Sequence, residues 1–174
     1  MSRRRNEKER LERVRRYKAG VEQYDLLKLT AFHEAGHVVF ATLHEHPVEI
    51  VTIDPEKVLE LTGRNCPGYT QYTKSGFAEA DVVLGLTAVG LTSEAMLVTG
   101  GVINPQEEDL GLIDDMLEKQ LGLHGAEKQL AFNRMRLRVQ EFVTTNRDAI
   151  TAVAMGLMER KTLTGKEVNQ ILKS

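Results

Sequence analysis

From Tyr24 to His44 the apolar positions recur at helical spacing, and Ala31, Phe32, Ala35, Val38, Val39, Ala41 and Leu43 cover most of the helix circumference. Apolar cover that wide predicts a largely buried helix. Pro47 ends the pattern. Val48–Asp54 then alternates and is rich in β-branched residues, which predicts a strand, and Gly68–Thr73, bounded by Pro67 and Gly76, predicts a second. With a polar, Gly-containing loop between them, the two read as an antiparallel pair packed on the helix, because an isolated hairpin is marginal in water. Ala78–Val98 predicts another apolar helix ending at Gly100-Gly101. Asn104-Pro105 opens the next, with Asn as cap and Pro in the first helical position. A long helix from about Gly125 to Arg160 and a short one from Thr164 to Lys173 complete the chain, with no internal repeat. The expected fold is therefore mostly α (α+β): a helical domain with a small antiparallel β-sheet.

Composition narrows this picture without choosing a function. At 174 residues and 41% hydrophobic content, the chain suffices for one domain with a real core and is too short for two sizeable ones. Net charge of −2 argues against a dedicated nucleic-acid binder, and the absence of Trp with only 5% aromatics weakens any model built on base or sugar stacking. The single cysteine, Cys66, has no internal disulfide partner, and no apolar run approaches the roughly 20 residues that span a bilayer. The N-terminus lacks the apolar stretch of a secretory signal. A soluble, cytoplasmic protein without an integral membrane segment is expected. Residues 1–20 stand apart as a basic arm, with nine Lys and Arg against three Glu. They read as a solvated helix held by acid–base pairs one turn apart, or as a contact for an anionic surface.

The chemistry concentrates in His33-Glu34-Ala35-Gly36-His37, an H-E-x-x-H inside the first buried helix. Histidines four apart share a helix face, so both imidazoles can bind one zinc while the Glu between them reaches a metal-bound water. Gly36 costs about 1 kcal/mol relative to Ala in a helix interior, which implies a backbone passing close by. Catalytic zinc takes a third protein ligand. Glu107, Glu108 and Asp109 are candidates, as is the mid-helix Glu94; acids in a first helical turn are also what the helix dipole favours, so spacing does not choose among them. His44, His46 and His124 stand outside the motif, and the first two read as capping or solvated groups at the helix end.

The run Leu29–Val39 around the motif, then Pro47–Ile53, Gly68-Tyr69-Thr70, and the stretch from Asn146 to Val168 resemble the peptidase domain of the FtsH family of ATP-dependent zinc metalloproteases. The resemblance runs over most of residues 25–172, so residues 21–174 are identified as an FtsH-like zinc metallopeptidase domain. In that family the third ligand is an Asp followed by Leu at the start of a helix, and Asp109-Leu110 is the matching pair. The resemblance therefore implies zinc on His33, His37 and Asp109 with Glu34 as general base. It implies a metalloendopeptidase that hydrolyses unfolded or flexible polypeptides by Glu-assisted attack of zinc-bound water; the peptide is expected to add as a strand to the sheet edge beside the site, where main-chain pairing makes little demand on sequence. Departures are visible. The family's Gly-Gly-Arg-x-x-Glu-Glu appears as Val89-Gly90-Leu91-Thr92-Ser93-Glu94-Ala95, and its Thr-Thr-Gly-Ala loop as Val102-Ile103-Asn104-Pro105. No G-x-x-x-x-G-K-[ST] occurs, so the AAA ATPase module is missing, and a separate unfoldase or a homo-oligomer becomes a further partner to consider. The alternative reading is a non-catalytic, zinc-containing module that binds peptides or proteins with a retained peptidase fold. A third would make the basic arm primary.

Overall fold

The computed structural model describes residues 26–73, 80–98 and 108–174, with side chains from 80–84 and 108–110 excepted. The basic arm at 1–20, the Gly100-Gly101 stop and the Asn104-Pro105 helix start lie outside the described residues. In order, the elements are α1 (Leu26–Leu43), β1 (Val48–Thr52), α2 (Pro55–Thr62), β2 (Tyr69–Tyr72), α3 (Ala80–Leu97) and α4 (Glu108–Asp115), which runs on as a π-helical turn, Met116–Gln120. They continue with α5 (Gly125–Thr145), α6 (Arg147–Arg160), β3 (Thr162–Thr164) and α7 (Gly165–Ile171). The protein is mostly helical with a small antiparallel sheet, as its pattern predicts.

α1 is the central element, packed between α3 and α6 with the sheet against its flank. Eleven of its 18 residues are buried, including Ala31, Ala35, Val38, Val39 and Ala41 at full burial. Gly36 makes the α1–α3 approach possible: a Cβ there would lie 2.9 Å from the Val89 carbonyl oxygen and overlap the buried Ser93 side chain. The close backbone expected from the low helix propensity of Gly36 is α3.

Among the described residues three strands form one sheet in the order β2-β1-β3, both pairings antiparallel. β1 opposes β2 with Val51 on Thr70 and Thr52 on Tyr69, and β3 with Val51 on Leu163. Among the described residues β2 and β3 are therefore the edges, and β2 is the one that reaches α1.

The structure corrects the sequence reading in three places. The segment read as a loop between strands contains α2, whose N-cap Asp54 accepts from the Glu56 N–H at 3.0 Å and whose Gly63 closes it at φ +67°. The single helix expected over 125–160 is two, divided at Asn146, whose side-chain amide donates to the Phe142 carbonyl at 2.9 Å. Thr144, Thr145 and Asn146 are weak helix formers, and Asn ends a helix readily, so the signal was present without a Gly or Pro to mark it. β3 was missed because three residues after a helix carry no period. Its partner is β1, 110 positions away, held through Thr52 Oγ1 and Thr162 Oγ1 at 2.7 Å and the Ile53 N–H donating to the Lys161 carbonyl at 2.8 Å. No described helix is long and apolar enough to cross a membrane.

Candidate metal centre

One helical turn brings His33 and His37 onto the α1 face that looks toward α3. Their Nε2 atoms are 3.1 Å apart, and the rings meet edge to face with centroids 4.8 Å apart. The His37 Nδ1 lies 2.9 Å from the Leu86 carbonyl oxygen on α3. A carbonyl only accepts, so Nδ1 carries the proton and donates, and the Nε2 of His37 is left with its lone pair. On the other ring, the His33 Nδ1 lies 3.7 Å from Oε2 of Glu94, so this carboxylate sits behind the ring, away from the facing nitrogens. Glu94 is itself buried, and its Oε1 has no hydrogen-bond partner among the described residues.

α3 packs closely against the facing nitrogens. A Cβ on Gly90 would lie 2.5 Å from the Nε2 of His37 and 2.7 Å from that of His33, so any larger residue would occupy the point on which both rings converge.

Glu34, buried between the two histidines in sequence, turns to the sheet side. The Thr70 hydroxyl on β2 donates to its Oε2 at 2.6 Å. Gly68, just before β2, lies so close that a Cβ there would be 2.6 Å from Oε1 of Glu34. The strand thus approaches the carboxylate as closely as α3 approaches the histidines.

These residues fit a zinc ion. Two nitrogens on a tetrahedral zinc, each about 2.0–2.1 Å from it, stand roughly 3.3 Å apart, close to the separation here. A ring donating Nδ1–H to a carbonyl and a carboxylate beside the other ring are surroundings that metal-binding imidazoles have. Among the described residues no group of three His, Cys, Asp or Glu is placed to hold a metal, and Glu94 lies nearest the Nδ1 of His33, not its Nε2. Asp109 and Glu108 lie in the first turn of α4, which packs on α3; their side chains, and Glu107 altogether, are outside the described residues.

The remaining histidines are elsewhere. His44 places its Nδ1 2.8 Å from its own helix's Phe40 carbonyl and stacks on the Phe40 ring at 4.0 Å. His124 is exposed at the N-cap of α5, and Cys66 is a free thiol. Sequence reasoning did not anticipate the Leu86 carbonyl or the contact of Thr70 and Gly68 with Glu34. The only local hint was a glycine and a small hydroxyl side chain in a strand expected to pack on the helix.

No family model matches the chain. It is similar to ATP-dependent zinc metalloprotease FtsH 2 of Symbiobacterium thermophilum, 26% identical over 174 residues, an alignment that covers 83% of this chain and 30% of that protein. The chain thus spans less than a third of the relative's length. The likeness is that of a distant homologue, and it points to the zinc metallopeptidases.

Proposed function

We propose that residues 21–174 are a zinc-dependent metalloendopeptidase domain acting on unfolded or flexible polypeptides. The observation that carries this reading is the convergence of the His33 and His37 Nε2 atoms at 3.1 Å next to a buried Glu34 that an edge strand touches. His33, His37 and Asp109 would hold the metal. Zinc, when bound, supplies Lewis acidity to the scissile carbonyl. Glu34 takes a proton from the attacking water onto its carboxylate and returns it to the leaving amine, so the base is regenerated in each turnover. β2 receives the substrate: its outer edge has no strand partner among the described residues, and main-chain pairing there accepts an extended peptide with little demand on sequence. Glu34 also separates this reading from a purely structural zinc site, which has no use for a carboxylate beside the ligands.

The test is hydrolysis of casein and of a stably folded domain by the full 174-residue chain loaded with zinc, with and without chelator and with and without ATP. Casein should be cut, the folded domain spared, chelator should abolish cleavage and ATP should change nothing. A zinc-loaded protein that hydrolyses no unfolded substrate would leave the peptide-binding module as the better account.

A further inference from the structure

The contact between β2 and the carboxylate of α1 does more than fill space. The Thr70 hydroxyl and Oε2 of Glu34 are 2.6 Å apart, both residues are buried, and 36 positions separate them. That length is a short, well-formed hydroxyl-to-carboxyl hydrogen bond. Gly68 fixes the other side of the same group. A Cβ at that position would lie 2.6 Å from Oε1, 2.7 Å from Cγ of Glu34 and 2.7 Å from the Thr30 methyl, so the carboxylate rests against bare backbone. The hydroxyl in turn is aimed by the sheet. Thr70 opposes Val51 in the β1–β2 ladder, and the next residue, Gln71, reaches from the other face to Glu49 at 2.9 Å. A slip of one residue would turn Thr70 away from α1 altogether.

We infer that Thr70 is the positioning residue for Glu34, its hydroxyl holding one carboxylate oxygen and so fixing the orientation of the group that takes and returns the proton. This rests on the peptidase reading above and extends it. The base is held by β2, the strand proposed to pair with the substrate, so a peptide docked on that edge and the group that serves its scissile bond share one reference element. The fit of Gly68 makes that arrangement stiff, since the strand cannot move toward α1 without displacing the carboxylate.

Thr70→Val removes the hydroxyl at nearly constant shape, and Thr70→Ser keeps it. With the zinc-loaded protein on casein-derived peptides, Thr70→Val should retain its metal, hold KM within about 2-fold and lower kcat about 10- to 100-fold, the range of a lost hydrogen bond to a charged group that aims a catalytic atom. Thr70→Ser should recover most of that loss. In the metal-free protein, Thr70→Val should shift the urea midpoint more in the Glu34 background than in a Glu34→Ala background, which reads the contact without any turnover. Wild-type kcat in Thr70→Val, a loss that Ser does not rescue, an effect on KM alone, or equal midpoint shifts in both backgrounds would each overturn the proposal while leaving the peptidase reading standing. Absence of hydrolysis by the wild type would instead remove the reading of Glu34 as a base. A coupled midpoint shift would then make Thr70 a structural partner only, which also overturns it.

Discussion

The middle and the C-terminal end of α1 both carry histidine, and they use it in opposite ways. His37 gives its Nδ1–H to a carbonyl 49 positions away on α3, so its other nitrogen is left facing His33. His44 satisfies its Nδ1 on Phe40, four positions back in the same helix, and lays its ring on that Phe, with Phe142 of α5 edge-on to it. The same side chain is turned toward its neighbour on the helix face where a second element supplies its partner, and becomes a helix-end cap where its own helix does. Long-range partners orient a ring toward something outside the helix; local partners return it to the helix.

The strongest way to break this contrast is to remove the rings in turn. His33→Ala or His37→Ala should abolish binding of about one zinc per chain, the content expected of a single three-ligand site, whereas His44→Ala should keep it; elemental analysis reads both. Zinc retained at full occupancy in the double variant of His33 and His37 would end the metal reading. Asp109→Asn should come next, weakening zinc affinity strongly. Its matched control, Glu108→Gln, should behave as the loss of a helix-start acid and cost well under about 1 kcal/mol. A zinc titration in which only the Glu108 variant suffers would move the third ligand by one residue.

Glu34→Gln separates holding the metal from using it: zinc content unchanged, turnover lower by roughly 100-fold or more, as for loss of a general base. Two glycines of α3 sharpen the comparison further. A Cβ on Gly90 meets the facing nitrogens, and one on Gly85 meets the Phe40 ring at 2.5 Å. Each substitution should destabilise by about 1–3 kcal/mol through overpacking, but only Gly90→Ala should also weaken zinc binding. The smallest effect lies at the α7 start, remote from both ends. There the Thr164 N–H and hydroxyl, with Arg160 adding less, hold the Glu167 carboxyl below its ordinary value of 4.5. Because the folded state favours the ionised form, this stability is present above pH 4.5 and is lost as pH falls below it. Thr164→Ala should cost about 1 kcal/mol near neutral pH and flatten that acid limb, with zinc content and turnover unchanged.

Much of this was legible in the chain. α1 is apolar on nearly every side, so periodicity alone placed it and its two histidines on one face. β1 and β2 were readable for the same reason, being short, β-branched or aromatic and bounded by Pro or Gly. The capped start of α2 was equally local, with Asp54-Pro55 before it and Gly63 after it, and was overlooked inside a polar stretch. The distant relative spans only part of its own length here, and it supports the class of chemistry without supplying residue roles.

By itself, the sequence determined the period-dependent features: a buried helix, its pair of histidines on one face, an apolar helix to cover it, and a glycine at the crossing. Only the tertiary structure decided what each polar atom meets. That the Leu86 carbonyl orients His37, that Glu94 stands behind His33, that Thr70 holds Glu34 and that β3 completes the sheet are contacts across 36 to 110 positions, with the Glu94 pair also joining two helices. The physical reason is that periodicity reports which face of an element is buried. The identity of the donor or acceptor across that face depends on register and on the approach of two backbones, and neither leaves a trace in the spacing of residues along one element.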